Sequence, residues 1–296
     1  MNTQFFAGVP EIDPTFVPFG AFEDILRVIS AGLFYSMYLV GHTGTGKTMM
    51  IEQACAQARR SLVRYQVTNE TDRDDLMGGL RLVNGSTVAF EGPVPVAMRE
   101  GAVLLLDEID SGTPSAMMVL QPVLENKPVI LSKSGTVVKP TTQFNIIATA
   151  NTRARGDDDG RYIGTNALNE AHLDRYAETV EHFYPPAVVE RQILTNNFKS
   201  LKTRPDQEFI ERLIDWARIC RIGYDNGSVG ELVSTRRLVS ICRAFVIFDE
   251  TRAGAIRRGI RRFDKDTQDS LLQSYTAVDA DATAGKPSAA DDEEPW

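Results

Sequence analysis

"GHTGTGKT", residues 41–48, decides how the rest of the chain is read. It satisfies G-x-x-x-x-G-K-[ST] at every fixed position. It follows an apolar segment ending at Val40 and opens the helical run "TMMIEQACAQA". That strand–loop–helix setting is what gives the pattern its meaning. Gly41, Gly44 and Gly46 let the backbone curl so that successive N–H groups face phosphate oxygens. The helix N-terminus adds its partial positive charge. Lys47 is suited to neutralising the β and γ phosphates, and Thr48 to ligating magnesium. The expected nucleotide contacts are therefore Gly41, His42, Thr43, Gly44, Thr45, Gly46, Lys47, Thr48 and Met49.

Working outward, "VLLLDEID" at 103–110 supplies the second half. A continuous apolar run is the mark of a parallel strand covered on both faces. Asp107 ends it and can hold the magnesium shell; Glu108 can polarise a water for attack on the γ-phosphate. Asn151 ends a further apolar strand. In a parallel sheet all strand C-termini share one edge, where ligands sit. An uncharged amide there can position the attacking water or contact the γ-phosphate, although taken alone a turn-forming asparagine is the better reading.

Strand-length runs at Tyr35–Val40, Leu62–Val67, Val103–Leu106 and Phe144–Ala150 alternate with helical segments, the first at 22–31, which argues for a three-layer α/β domain. Two hairpins interrupt it. "LRLVNGSTVAF" (80–90) turns at Asn84-Gly85 and "PVILSKSGTVV" (128–138) at Ser134-Gly135. From about 205 the chain reads helical. The expected organisation is an extended arm over 1–20, an α/β core over 21–200, a helical lid over 201–275 and a disordered acidic tail over 276–296.

The formal net charge of -8 argues against a non-specific nucleic-acid binder, which needs a basic surplus. Three dispersed cysteines and three unclustered histidines suggest neither a disulfide framework nor a zinc site, and they fit a reducing cytoplasm. No apolar run approaches the roughly 18 residues needed to cross a bilayer, and the first residues do not read as a signal peptide. "RGDDDG" (155–160) has the glycine of a calcium loop. It puts Arg155 at the first ligand position and Asn166 at the last, which excludes it. Arg252, Arg257, Arg258, Arg261 and Arg262 form a basic stripe that reads as a solvated helical face.

Together these motifs resemble the AAA+ ATPases, and within them the MoxR/CobS-type group, which includes the AAA+ subunit of cobaltochelatase and phage-encoded relatives. The likeness covers about residues 17 to 250. It is carried by "GHTGTGKT", "DDLMGG" (74–79), "FEGPVPVAMREGAVLLLDEID" (90–110), "FNIIATANT" (144–152), "GDDDGRYIGTNALNEAHLDRY" (156–176) and "STRRLV" (234–239). The resemblance implies an AAA+ P-loop fold with a parallel five-stranded sheet and a smaller helical lid. It implies ATP and Mg2+ as cofactors. Lys47 and Thr48 match Walker A, Asp107 and Glu108 match Walker B, and Asn151 matches sensor 1. Arg175 in "LDRY" matches the arginine finger offered to a neighbouring subunit; an ion pair with Asp174 is the plainer alternative. Arg236 in "STRR" matches sensor 2, with Arg237 beside it leaving the register open. Asn69 is aligned with a polar residue that restrains the Walker B glutamate. In this group the unit is usually a hexameric ring. It often works with a protein carrying a von Willebrand A-type domain. A motor remodelling such a partner, a motor subunit of a cobalt or magnesium chelatase, and, more distantly, a nucleic-acid translocase are the functions it leaves open.

Overall fold

The structure is a computed structural model that describes residues 5–83, 85–152, 166 and 170–283. The chain divides into two units. The first comprises Met1–Asp13 and Pro18–Phe183, the second Pro14–Val17 and Tyr184–Trp296.

The first unit is built on a six-stranded sheet. Its strands are β1 (Phe6–Gly8), β2 (Met37–Val40), β3 (Leu62–Gln66), β6 (Val103–Asp107), β9 (Asn145–Ala150) and β10 (Glu178–Glu181), in the order β1-β3-β6-β9-β2-β10. Five of them are parallel, as the resemblance implies. The sixth is a departure: residues 6–8 of the expected arm pair antiparallel with β3, Phe6 opposite Arg64 and Gly8 opposite Leu62. Two separate hairpins, β4 (Leu80–Val83) with β5 (Ser86–Ala89) and β7 (Val129–Ile130) with β8 (Val137–Val138), form within the segments 80–90 and 128–138. Asn84 lies outside the described residues; Gly85 and Gly135 both adopt positive φ, at 81° and 69°.

The core strands β2, β6 and β9 are buried along their whole length, which is why they read as unbroken apolar runs. Alternate residues Tyr38, Val40, Leu104, Leu106, Ile146 and Ala148 pack with Val94, Ala97 and Met98 of α4 (Pro93–Glu100). The residues between them, such as Met37, Leu39, Leu105 and Ile147, are equally buried. That opposite side is covered by α1 (Phe22–Ala31) and α2 (Lys47–Ala58), which pack on each other, α2 also on β6. Each fully buried Leu or Ile contributes roughly 1.5–3 kcal/mol. Short helices α3 (Arg73–Met77), α5 (Pro114–Met117), α6 (Gln121–Leu124) and α7 (Glu170–Leu173) complete the unit.

The second unit is helical: α8 (Ala187–Ser200), α9 (Gln207–Asp225), α10 (Thr235–Ile247), α11 (Arg252–Ile260) and α12 (Lys265–Val278). It begins at Tyr184 because α8 packs on α9 and α10 through Leu194 and Phe198, so the boundary falls before the expected 200/201. Trp216 sits in its core, edge-on to Tyr275 with ring centroids 5.5 Å apart. The tail also starts later than expected. α12 runs past 275, Tyr275 Oη donates to Asp279 Oδ2 at 2.7 Å, and the Ala253 amide donates to the Ala282 carbonyl at 2.8 Å. Residues 284–296 lie outside the described residues.

Candidate active site

Because the strands run parallel, the loops leaving β2, β6 and β9 emerge at one sheet edge. The first is the glycine loop. Gly44 and Gly46 take φ of 73° and 99°, which Cβ-bearing residues resist, and a Cβ at Gly46 would project into open space. Gly41 is needed for a different reason: a Cβ there would lie 2.1 Å from the His182 carbonyl oxygen. The His182 ring lies against the loop. A carbonyl can only accept, so Nε2–H donates to the Thr45 carbonyl, at 3.3 Å. Phe19 packs on the same ring, with centroids 4.8 Å apart. Burial, and then the nearby Lys47 ammonium, hold the His182 imidazole below its ordinary pKa. Within the loop, Thr45 Oγ1 donates to the His42 carbonyl at 2.9 Å. Thr43 and Met49 are exposed.

Lys47 opens α2 and is 7% exposed. Its Nζ donates to the Gly41 carbonyl at 2.6 Å, the His42 carbonyl at 3.1 Å and Asn151 Oδ1 at 3.1 Å. Thr48 Oγ1 donates to Asp107 Oδ1 at 2.8 Å. The Asn151 amide reaches Glu108 Oε1 at 3.5 Å. Lys47, Thr48, Asp107, Glu108 and Asn151 thus meet in one cluster. Thr48, Asp107 and Glu108 offer oxygens, the ligands a hard cation such as Mg2+ takes, and the open space at Gly46 suits a phosphate. Among the described residues no group of three or more His, Cys, Asp or Glu is placed to hold a metal ion.

Sequence reasoning missed the residues that hold the two acids. On β3, Arg64 and Gln66 project to one side, two residues apart. Arg64 Nη2 pairs with Asp107 Oδ2 at 2.7 Å and Nη1 with Glu52 Oε1 at 2.8 Å. Gln66 Nε2 donates to Glu108 Oε2 at 2.8 Å. Gln66 therefore occupies the place expected of Asn69, which is exposed in the turn beyond β3. On the other flank, the fully buried Thr149 of β9 donates to Asp107 Oδ1 at 2.6 Å and accepts from the Glu108 amide at 3.1 Å. Glu108 needs such an anchor because its backbone is left-handed, at φ 57° and ψ 48°. The readable signals were a charge and an amide in strand 62–66, and a hydroxyl inside an otherwise apolar run.

Arg175 follows α7. Its Nε pairs with Glu125 Oε1 at 3.0 Å, and its guanidinium donates to the Ala171 carbonyl; the ion pair in place is with Glu125 rather than with Asp174, the plainer alternative. Arg236 is exposed in the first turn of α10, in the second unit. Thr235 beside it donates to Glu190 Oε1 at 2.7 Å, and Glu190 pairs with Arg221 at 2.8 Å. In the basic stripe, Arg252 pairs with Asp206, Glu208 and Asp279, Arg258 with Glu250, and Arg262 with Glu231. The charged segment at 153–165 lies outside the described residues, and so does the discounted calcium loop at 155–166 except for Asn166.

The AAA domain of the dynein-related subfamily matches residues 36–162. The aerobic cobaltochelatase subunit CobS of a Sinorhizobium species is 30% identical over 252 residues, 82% of this chain and 75% of that protein. The uncharacterized protein YojN of Bacillus subtilis is 28% identical over 254 residues, 83% of this chain and 79% of its own. Among solved structures, a mutant of Thermotoga maritima RuvB superposes with a TM-score of 0.52 at 11% identity, covering 91% of this chain and 72% of that one, a likeness of fold alone.

Proposed function

Since the chain belongs to the AAA+ ATPase family of CobS and carries an AAA domain of the dynein-related subfamily over residues 36–162, we propose that it is an ATP-hydrolysing ring motor that remodels a protein partner. The observation that carries this reading is the convergence of Lys47, Thr48, Asp107, Glu108 and Asn151 at one sheet edge, with Thr48 and Asp107 oxygens 2.8 Å apart. Gly41 to Met49 bind the ATP phosphates, and Lys47 leaves its carbonyl partners for the β and γ oxygens. Thr48 and Asp107 would hold Mg2+, which when bound spreads the negative charge of the phosphates. Glu108 accepts the proton of the attacking water, and Asn151 orients that water. Arg175 of the neighbouring subunit stabilises the transferring phosphoryl, an effect of about 10³-fold or more where such arginines are known. Arg236 couples the nucleotide to the helical lid. The assembly is a homo-oligomeric ring, hexameric as in the group it resembles, and a von Willebrand A-type protein is the partner class.

The second reading, a motor subunit of a cobalt or magnesium chelatase, is favoured by the identity with CobS. Metal and tetrapyrrole would then be handled by other subunits. A nucleic-acid translocase has less support, since the chain is acidic and three of its five stripe arginines are already paired. Three free, buried cysteines suit a reducing cytoplasm, and among the described residues no helix is long and apolar enough to cross a membrane.

The test is a trap variant. Glu108→Gln should bind ATP and cease turnover, and normal turnover would remove Glu108 from its role. Mixed with Arg175→Ala, it should restore some hydrolysis, because one mutant lends the arginine and the other the glutamate. No recovery in an assembled mixture would count against the trans geometry. Partners held by the trap in ATP separate the readings: a von Willebrand A-type protein supports remodelling, a large chelatase subunit the alternative.

A further inference from the structure

Asp110 has no part in the mechanism above, yet it is built into the site. It lies in the 3-10 turn Ile109–Ser111, two residues past Glu108, with 0% of its surface exposed. Its Oδ2 accepts three hydrogen bonds: from the Asn151 amide at 3.0 Å, the Thr152 amide at 2.9 Å and Thr152 Oγ1 at 3.0 Å. Its main-chain carbonyl accepts from the Asn166 amide at 2.7 Å. The Asn166 side chain in turn donates to the carbonyls of Gly112 at 3.2 Å and Ser111 at 3.4 Å.

The sequence position explains the geometry. β9 ends at Ala150, so the amides of Asn151 and Thr152 leave the sheet ladder and need another acceptor. One carboxylate oxygen takes both. Two successive peptide groups are thereby oriented, and with them the origin of the Asn151 side chain, which spans Lys47 at 3.1 Å and Glu108 at 3.5 Å. We infer that Asp110 is a positioning residue of the nucleotide site, which ties the turn carrying Glu108 to the loop carrying Asn151 so that the two side chains keep their spacing. The inference rests on the ATPase reading above for its kinetic consequence, but not for its geometry. The other carboxylate oxygen of Asp110, Oδ1, is buried with no hydrogen-bond partner among the described residues, so the tie runs through the acceptor oxygen Oδ2 alone.

The experiment uses the full chain and four variants: Asp110→Ala, Asp110→Asn, Asn151→Ala and the double Asp110→Ala/Asn151→Ala. Asp110→Ala should lower kcat by about 10- to 100-fold with little change in the KM for ATP, the scale of effect of an ångström-sized misplacement. Asp110→Asn keeps the acceptor oxygen but buries an amide nitrogen in place of the partnerless Oδ1, so it should lose several-fold less kcat than Asp110→Ala. Removing Asp110 where Asn151 is already alanine should cost nothing further, because the path runs through that side chain. Hydrogen exchange of the 146–152 segment should quicken in Asp110→Ala and not in Asp110→Asn, a readout independent of activity. Equal losses of kcat in both backgrounds, or unchanged exchange in Asp110→Ala, would overturn the inference. A parent chain without turnover, or Asn151→Ala at full rate, would instead overturn the ATPase reading, and the exchange measurement still decides whether Asp110 holds the segment. Melting curves identify a variant that has not folded, and Asp110→Asn then carries the exchange comparison, where quickened exchange refutes the acceptor role.

Discussion

Replacing Thr149 by valine removes one hydroxyl while preserving shape, and the structure says what that hydroxyl does. It donates to Asp107 Oδ1 at 2.6 Å and accepts from the Glu108 amide at 3.1 Å, with no exposed surface. The first bond is to a carboxylate and is worth about 1.5–3 kcal/mol. Losing the second strands an amide beneath a left-handed residue, which costs about 1–3 kcal/mol. Thr149→Val should therefore destabilise the first unit by about 3–5 kcal/mol, close to a third of an ordinary domain's stability. Thr149→Ser keeps both bonds and loses one buried methyl, for about 1 kcal/mol. The assay is urea unfolding followed by far-UV circular dichroism. Trp216 lies in the helical unit, so its fluorescence follows that unit and serves as an internal control. A valine variant within 0.5 kcal/mol of the parent, on a scale where surface changes fall in about that range, would refute the idea that this hydroxyl holds the two acids.

Two further outcomes are expected. His172 is 2% exposed, its ring nitrogens have no partner among the described residues, and burial pushes its pKa down to about 4 from 6.5. The folded state requires the neutral ring, so its contribution is whole above pH 6.5 and is lost as pH falls towards 4; His172→Phe should flatten that stretch of the stability profile by up to about 3 kcal/mol, and an unchanged profile would contradict it. Gly41→Ala forces a Cβ to within 2.1 Å of the His182 carbonyl oxygen and should weaken ATP binding about tenfold or more, since the loop must shift by ångströms; an analogue titration giving the parent affinity would show that the loop is not held as described.

Much of this was legible in the chain. The glycine loop and the apolar runs of β2, β6 and β9 announce themselves because function and full burial leave little latitude in residue type. β10 was not legible: "ETVE" has a single apolar residue, half-buried, because an edge strand shows most of its surface to water. β1 was hidden for a similar reason, three residues long and preceding a proline-rich stretch. The hairpins were found through their glycines, which take the positive φ that such turns demand. The partners of the acids were not found, because Arg64, Gln66 and Thr149 act through the lateral register of neighbouring strands, which the chain does not spell out. Asn69 was a reasonable guess from the order of residues; Gln66 wins because it lies directly opposite Asp107 across the ladder. The helical unit's early start escaped because α8 carries a mixed polar sequence and buries only a narrow strip of it.

The short strand β1 makes β3 an inner strand, bonded on both sides. Slippage is thereby discouraged, and slippage here would be chemical as much as structural. A shift of one residue would turn Arg64 and Gln66 to the opposite face and present Val63 and Tyr65 to Asp107 and Glu108 instead. Both acids would lose their partners in a single step. Three residues near the start of the chain thus act as a stop on the sheet's alignment, and the charge pattern around the phosphates inherits its accuracy from a backbone ladder that touches none of them.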